Sequence, residues 1–382
     1  MCRLAAIVSE DYFSPFENIL ALETMKEGHD GSGLGLILRD LGGEFHDLKD
    51  YPILSCITSN KGYEVLKEYM SSKGFEVKYR WEPKTKIEPW MEITPRDHYI
   101  VKAYEYPDYM KDKSQKEKED FLLQTRLELR KLGEKDESIT VFSFWPDTIT
   151  LKEVGDPLEV GLFFGLDHNE SLKAKIIFAQ GRQNTNYAIN LYACHPFFIQ
   201  GFFTMTNGEN TAFVPIKEFL MSRKFPGYIG YNSDSEVFAH ILHYTRHILN
   251  YPLKYYKDVI TPMYPHELDS CNREDIETLR LMVKSLRMLT IDGPNCVIGC
   301  DRDNTVFMVQ DTKKLRPGVV GGVRGKIGLM SEVCGLTSAI PDRDTTKDVF
   351  PMKYDFVYVK PGAKEIKIWN QKLGQTTTIS YH

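Results

Sequence analysis

Three observations make this an α+β sequence with mostly antiparallel strands. Apolar runs come in pairs around turn residues, helical periodicities fall in separate blocks, and no regular strand–helix alternation links them. In chain order, Leu4-Ala5-Ala6-Ile7-Val8 reads as a buried strand directly after Cys2 and Arg3. Residues 13–27 carry helical spacing of apolar side chains. Residues 31–47 (GSGLGLILRDLGGEFHD) read as a hairpin turning at residues 40–43, with glycines where φ is positive. Between residues 61 and 148 comes a strand–helix unit, then a charge-dense run over 111–138. That run reads as a solvated amphipathic helix whose inner face is Phe121, Leu122, Leu127 and Leu129, or else as a docking helix for another protein. It marks residues 61–148 as a candidate insertion within a single domain spanning 2–382. Helical spacing returns over 235–249 and 273–289. Residues 295–310 pair two strands around Asp301-Arg302-Asp303-Asn304, and residues 356–369 pair two more around Pro361-Gly362. Gly321-Gly322-Val323-Arg324-Gly325 lacks the Lys-Ser/Thr of a phosphate-binding loop and reads as an ordinary loop.

Composition narrows the function. The chain has 382 residues, 42% of them hydrophobic, a net charge of -5 and no long block of like charge, so neither nucleic acid nor an anionic membrane is an expected partner. No stretch approaches 18 uninterrupted apolar residues, and no charged segment leads into an apolar one at the start, which predicts a cytoplasmic protein. The seven cysteines are scattered without a Cys-x-x-Cys pair, arguing against a disulfide framework, a zinc site or an iron–sulfur site. His240, His243 and His247 stand at i, i+3 and i+7, but no carboxylate or cysteine completes a metal site, and they read as packing or surface residues beside Asp234.

Removal of Met1 would make Cys2 the first residue, joining a thiol to a free α-amine of unperturbed pKa about 7.7–8.0 that can act as its general base. Alone, such a cysteine is more often a small apolar residue. The segment GRQNTNYAINLYACHPFFIQGFFTMTNGENT, residues 181–211, changes that balance. It contains Arg182, then Thr185-Asn186, Pro196-Phe197 and Asn207-Gly208-Glu209. Downstream come Ser233-Asp234-Ser235-Glu236, Asp292-Gly293-Pro294, Leu315-Arg316-Pro317 and Ser331-Glu332-Val333, and upstream His29-Asp30-Gly31-Ser32-Gly33. In this order the motifs resemble the class II, N-terminal-nucleophile glutamine amidotransferases, closest to the glutaminase domain of glutamate synthase. The resemblance leaves out roughly residues 61–148 and the last dozen. It implies a four-layer αββα sandwich of two mostly antiparallel sheets. It also implies Cys2, Asn207 and Gly208 as catalytic residues, and Arg182, Thr185 and Asp234 as substrate-binding ones. The chain departs from the family at Arg3-Leu4, where Gly-Ile is usual, at Thr206, where a histidine often precedes Asn-Gly, at Asn210, which replaces an apolar residue, and at Glu27, where purine-pathway relatives carry arginine.

The same residues can be read chemically. Thiol attack on a primary amide passes through a tetrahedral oxyanion, which needs hydrogen-bond donors. The Asn207 side chain and the Gly208 N–H can supply them, although Asn-Gly in isolation is more often a hairpin turn. A glutamine substrate presents a carboxylate, which Arg182 can clamp, and an ammonium, which Asp234 can pair, although Asp234 in isolation reads as a helix cap. The expected activity is hydrolysis of L-glutamine to glutamate and ammonia through a Cys2 thioester. No cofactor or metal is expected in this chain. The glutamate-synthase resemblance implies a partner subunit carrying FMN and iron–sulfur clusters that receives the ammonia, with homo-oligomers open as well. Two other readings share the sequence: a stand-alone amidohydrolase on a γ-glutamyl or other amide, and a non-catalytic assembly subunit should Met1 be retained.

Overall fold

A computed structural model describes residues 2–27, 30–134, 136–183, 189–225, 233–271 and 273–381. Its first large sheet holds β1 (Arg3–Phe13), β2 (Leu34–Gly43), β7 (Thr148–Glu153), β8 (Leu172–Gly181), β13 (Val319–Val323) and β14 (Lys326–Met330), in the order β13-β14-β1-β8-β2-β7. The second holds β9 (Phe197–Ile199), β10 (Phe202–Gly208), β11 (Asn295–Cys300), β12 (Val306–Gln310), β15 (Asp355–Val359), β16 (Glu365–Asn370) and β17 (Gln375–Ser380), in the order β17-β16-β15-β12-β11-β10-β9. Every pairing between these strands is antiparallel.

Strand alternation explains how the sheets stack. Leu4, Ala6 and Val8 of β1, with Ile176 and Phe178 of β8, share one apolar layer with Phe203 and Met205 of β10 and Ile298 of β11. Phe178 and Phe203 meet edge to face across it, ring centroids 4.9 Å apart. The opposite row, Ala5 and Ile7, packs with helices α1 (Phe16–Thr24), α5 (Pro157–Phe163) and α11 (Val333–Ala339). On the far side of the second sheet, Val297, Phe307 and Val309 pack with α6 (Phe213–Ser222), α7 (Glu236–His243), α8 (Tyr255–Ile260) and α10 (Ile276–Leu286), beside the short α9 (Pro265–Asp269). The result is a four-layer αββα sandwich, as the resemblance implied.

Between β2 and β7, which are hydrogen-bonded neighbours, the chain builds a third sheet from β3 (Pro52–Thr58), β4 (Glu76–Trp81), β5 (His98–Glu105) and β6 (Ile139–Pro146), in the order β4-β5-β3-β6. It carries α2 (Asn60–Ser72), α3 (Asp108–Lys111) and α4 (Gln115–Gly133). Helix α4 opens with a capping box from Ser114 and Glu117 and buries Leu122, Leu123 and Leu129. It also buries Arg126, whose guanidinium donates to the Phe198 carbonyl at 2.6 Å, so the charged helix reaches the edge of the second sheet.

Two expectations are corrected. Residues 31–47 are not a hairpin: β2 runs unbroken through Asp40 (φ 56°), paired to β8 as far as Gly43, and the left-handed residue lets Leu41 join Leu36 and Leu38 in one layer. Residues 321–323 are not loop but part of β13, which forms a hairpin with β14. A Cβ on Gly321 would lie 2.1 Å from an Asp348 carboxylate oxygen, so the glycine serves close packing rather than a turn. The helix expected over 235–249 changes to a π-helix at Tyr244–Ile248. Among the described residues no helix is long and apolar enough to cross a membrane.

The middle layer generates a direct test. Phe203→Ala should lower the free energy of unfolding by about 3–5 kcal/mol in urea titration; a loss under about 1 kcal/mol would mean that the two sheets do not depend on that contact.

Candidate active site

Cys2 stands half-buried at the entrance to β1, two residues before Leu4 and therefore in the row that faces the second sheet. Its thiol lies 3.7 Å from the Gln183 carbonyl. The strand start is held from three sides. Arg3 donates to the carbonyls of Met25 (2.6 Å) and Glu27 (2.8 Å) and pairs with Glu332 at 3.0 Å. Leu4 exchanges hydrogen bonds with Ser331, its N–H going to Oγ at 3.1 Å and its carbonyl accepting the Ser331 N–H at 3.0 Å. Ser331 and Glu332 of the Ser-Glu-Val motif thus fix the segment that carries Cys2. Burial pushes the Cys2 thiol up, the nearby Arg182 charge works in the opposite direction, and Asp234 adds to the rise.

Asn207 and Gly208 close β10. Phe203 and Met205 face the first sheet, and Asn207 continues that row. Asn207 is 1% exposed, yet neither Nδ2 nor Oδ1 of its side chain has a hydrogen-bond partner. The following turn is fixed by the second motif: Glu209 N–H donates to the Pro294 carbonyl at 3.1 Å, and Asn295 Nδ2 donates to the Glu209 carbonyl at 2.8 Å. A Cβ on Gly208 (φ 153°) would sit 1.8 Å from the Pro294 oxygen, so only glycine fits. Asn-Gly-Glu and Asp-Gly-Pro, 85 residues apart from Asn207 to Asp292 in the chain, are two sides of one junction.

Arg182 follows β8 directly, is buried, and donates its main-chain N–H to the Gly33 carbonyl at 2.8 Å. The half-buried Asp234 precedes α7; its Oδ2 accepts the Asn210 N–H at 2.8 Å and its Oδ1 accepts from Ser235 Oγ at 3.2 Å. Burial raises its pKa above the ordinary carboxylate value. The helix cap is Ser235, not Asp234. Arg182 and Asp234 both act electrostatically on Cys2, so these three expected residues converge. Thr185, with Asn186 and Met1, lies outside the described residues.

Sequence reasoning missed the polar groups that join the two strands. Gln180, opposite Leu4 in β8, accepts the His195 N–H at 2.7 Å through Oε1. His195 Nδ1 in turn accepts the Thr206 N–H at 3.0 Å, and Thr206 Oγ1 donates to Ser235 Oγ at 2.9 Å. This chain of bonds ties the Cys2 end of β1 to the Asn207 end of β10 and to Asp234. The Nδ1 acceptor role leaves the imidazole's proton on Nε2, and burial, with Lys152 and Arg182 nearby, drives the His195 pKa well below its usual value, keeping it neutral. The only sequence signal was His195-Pro196 within the motif-bearing segment; Lys152 gave none, because a lysine in a strand ordinarily faces water.

The three histidines after Asp234 serve packing: His240 faces Glu236 at 3.8 Å, His243 Nε2 meets Gln200 Oε1 at 2.6 Å, and His247 meets Arg302 at 3.2 Å. Among the described residues no group of three or more His, Cys, Asp or Glu could hold a metal ion.

The sequence matches no protein-family model and none of the curated proteins. Solved structures similar to it include the glutamine phosphoribosylpyrophosphate amidotransferase of B. subtilis complexed with ADP and GMP, at 12% identity and TM-score 0.41. A structure described as the allosteric regulatory enzyme of purine biosynthesis aligns at 12% identity and TM-score 0.42. Both alignments cover all of this chain, which spans about half the length of each, 49%. A glutamine aminotransferase class-II domain protein from Silicibacter pomeroyi aligns over 61% of this chain and 85% of its own, at 11% identity and TM-score 0.33. At such scores the architecture rests on this chain's own strand order and burial.

Proposed function

We propose that this chain, once Met1 is removed, hydrolyses the side-chain amide of glutamine with Cys2 as nucleophile. The observation that carries the reading is the Asn207 amide, buried and without a partner at the end of β10, on the row that faces the first sheet. A buried amide left unpaired costs about 1–3 kcal/mol, a cost that makes sense where a developing oxyanion will accept from it.

In this mechanism the α-amine of Cys2 takes the thiol proton and the sulfur attacks the substrate's amide carbon. Asn207 Nδ2 and the Gly208 N–H hold the oxyanion. Collapse breaks the C–N bond, the proton returns to the departing ammonia, and water then releases glutamate from the thioester. Arg182 clamps the substrate carboxylate and Asp234 pairs with its ammonium; Thr185 belongs to the same pocket in the family resemblance. The order of the motifs supports a finer proposal, that ammonia passes to a glutamate-synthase-like partner subunit bearing FMN and iron–sulfur clusters.

The intact mass before and after a glutamine-analogue electrophile tests the nucleophile: loss of Met1 and one adduct on Cys2 are expected, with no turnover in Cys2→Ser. A retained Met1 without an adduct would overturn the reading. Asn207→Ala should lower kcat about 10²- to 10³-fold while unfolding stability stays the same or rises, because no internal hydrogen bond is lost; a large drop in stability with kcat intact would assign the amide to the fold instead. Arg182→Ala should raise KM far more than it lowers kcat. Because the Asp234 carboxyl titrates above the usual carboxylate value and pairs with the substrate as an anion, glutamine affinity should fall as pH drops through that raised pKa. Asp234→Asn should abolish this dependence, as read from KM against pH.

A further inference from the structure

Lys152 is a buried cation that the mechanism above does not use. In β7, Ile149 and Leu151 face the helical layer, so Lys152 faces the second sheet, and it is 2% exposed. Its Nζ donates to the Tyr192 carbonyl at 3.3 Å and to the Cys194 carbonyl. Ring faces surround it: Tyr192 at 4.9 Å, Phe197 at 5.0 Å and Phe142 at 5.5 Å from Nζ to centroid. The charged and titratable groups facing it are Arg126 from α4, Arg182 beyond β8, Glu236 from α7, and Cys194 and His195 in the segment it grips. Directly after Cys194 comes His195, which bonds Gln180 on the nucleophile's sheet and the Thr206 N–H on the strand bearing Asn207.

We propose that Lys152 is a positioning residue: by holding the Tyr192 and Cys194 carbonyls it places His195 between the two sheets, and His195 sets the Asn207–Gly208 donors opposite Cys2. This rests on the amidase reading for its catalytic consequence, but the clamp itself is a property of the fold. Burial pushes the ammonium pKa down to about 7, so near neutral pH the grip alternates between a cation, held by carbonyls and rings alike, and an amine that keeps only the hydrogen bonds. Arginine would stay charged throughout.

The test uses the full chain with Met1 removed, comparing wild type, Lys152→Met, Lys152→Arg and Gln180→Leu. The readouts are kcat and KM for glutamine against pH, and amide hydrogen exchange over residues 192–207. Lys152→Met should lower kcat about 10²-fold, the usual effect of an approximately 1 Å misplacement, with KM within about threefold because Arg182 and Asp234 are untouched. Exchange at His195 and Thr206 should quicken at least about tenfold. Lys152→Arg should keep the protection, and the ratio of its kcat to wild type should rise as pH passes through about 7. Wild-type kcat and exchange in Lys152→Met would overturn the proposal, as would a Lys152→Arg ratio flat across that pH range. If wild type turns over no glutamine, the amidase reading fails while exchange still decides the clamp: faster exchange upholds it and unchanged exchange overturns it. If Lys152→Met does not fold, Gln180→Leu decides: a similar fall in kcat with faster Thr206 exchange supports the relay, and wild-type behaviour in both overturns it.

Discussion

Face-to-face burial of the two large sheets determines where each polar group of the site can stand. Leu4, Ala6 and Val8 on one side and Phe203 and Met205 on the other leave no water between them, and each large side chain buried there contributes about 1.5–3 kcal/mol. At one end the layer becomes polar, with Lys152, Gln180 and Asn207 buried beside Cys2 and His195 bonded to Gln180. There the same dryness that stabilises the centre strengthens every hydrogen bond and charge interaction. The candidate site therefore lies at the mouth of the middle layer, and the geometry of its described residues follows from how the sheets meet.

At the Cys2 thiol, burial outweighs the Gln183 carbonyl contact and the Arg182 charge, which act in the opposite direction, and raises the pKa above the ordinary thiol value. A cysteine activated by its environment alone would have the opposite shift. In the proposed mechanism Cys2 therefore depends on a base that acts when the substrate arrives, the part given there to the α-amine. Burial also pushes up the thiols of Cys56, Cys194, Cys296 and Cys300, and Arg182 acts on Cys194 as it does on Cys2.

Much of the fold was legible in the sequence because strands and helices carry local signals. The hairpins at 295–310 and 356–369 and the helices after residues 13, 235 and 273 stand where alternation and helical spacing placed them. Local signals failed where tertiary packing overrode them. Asp40 takes a turn-like conformation inside a strand because three leucines share a layer, and the glycines at 321–322 admit close neighbours instead of making a loop. At the candidate site, Cys2, Arg182, Asn207, Gly208 and Asp234 could be named because short motifs around them stand in a recognisable order along the chain. Lys152, Gln180 and His195 could not: their roles arise from pairings between residues far apart in the chain, such as Leu4 with Gln180 and Gly35 with Lys152.

Strand β1 lies between β8 and β14, its Leu4 facing Gln180 and its Ala5 facing Met330. Both partners are translated long after it. At about 5–20 residues per second, β1 waits roughly ten seconds or more for β8, and about twice as long for β14. Throughout that interval the start of β1 has no strand to pair with, whereas in the finished fold it is bonded on both flanks. The sheet order thus acts as a clock: the start of β1 stays unpaired while most of the chain is being made, and the β13–β14 hairpin closes its second edge.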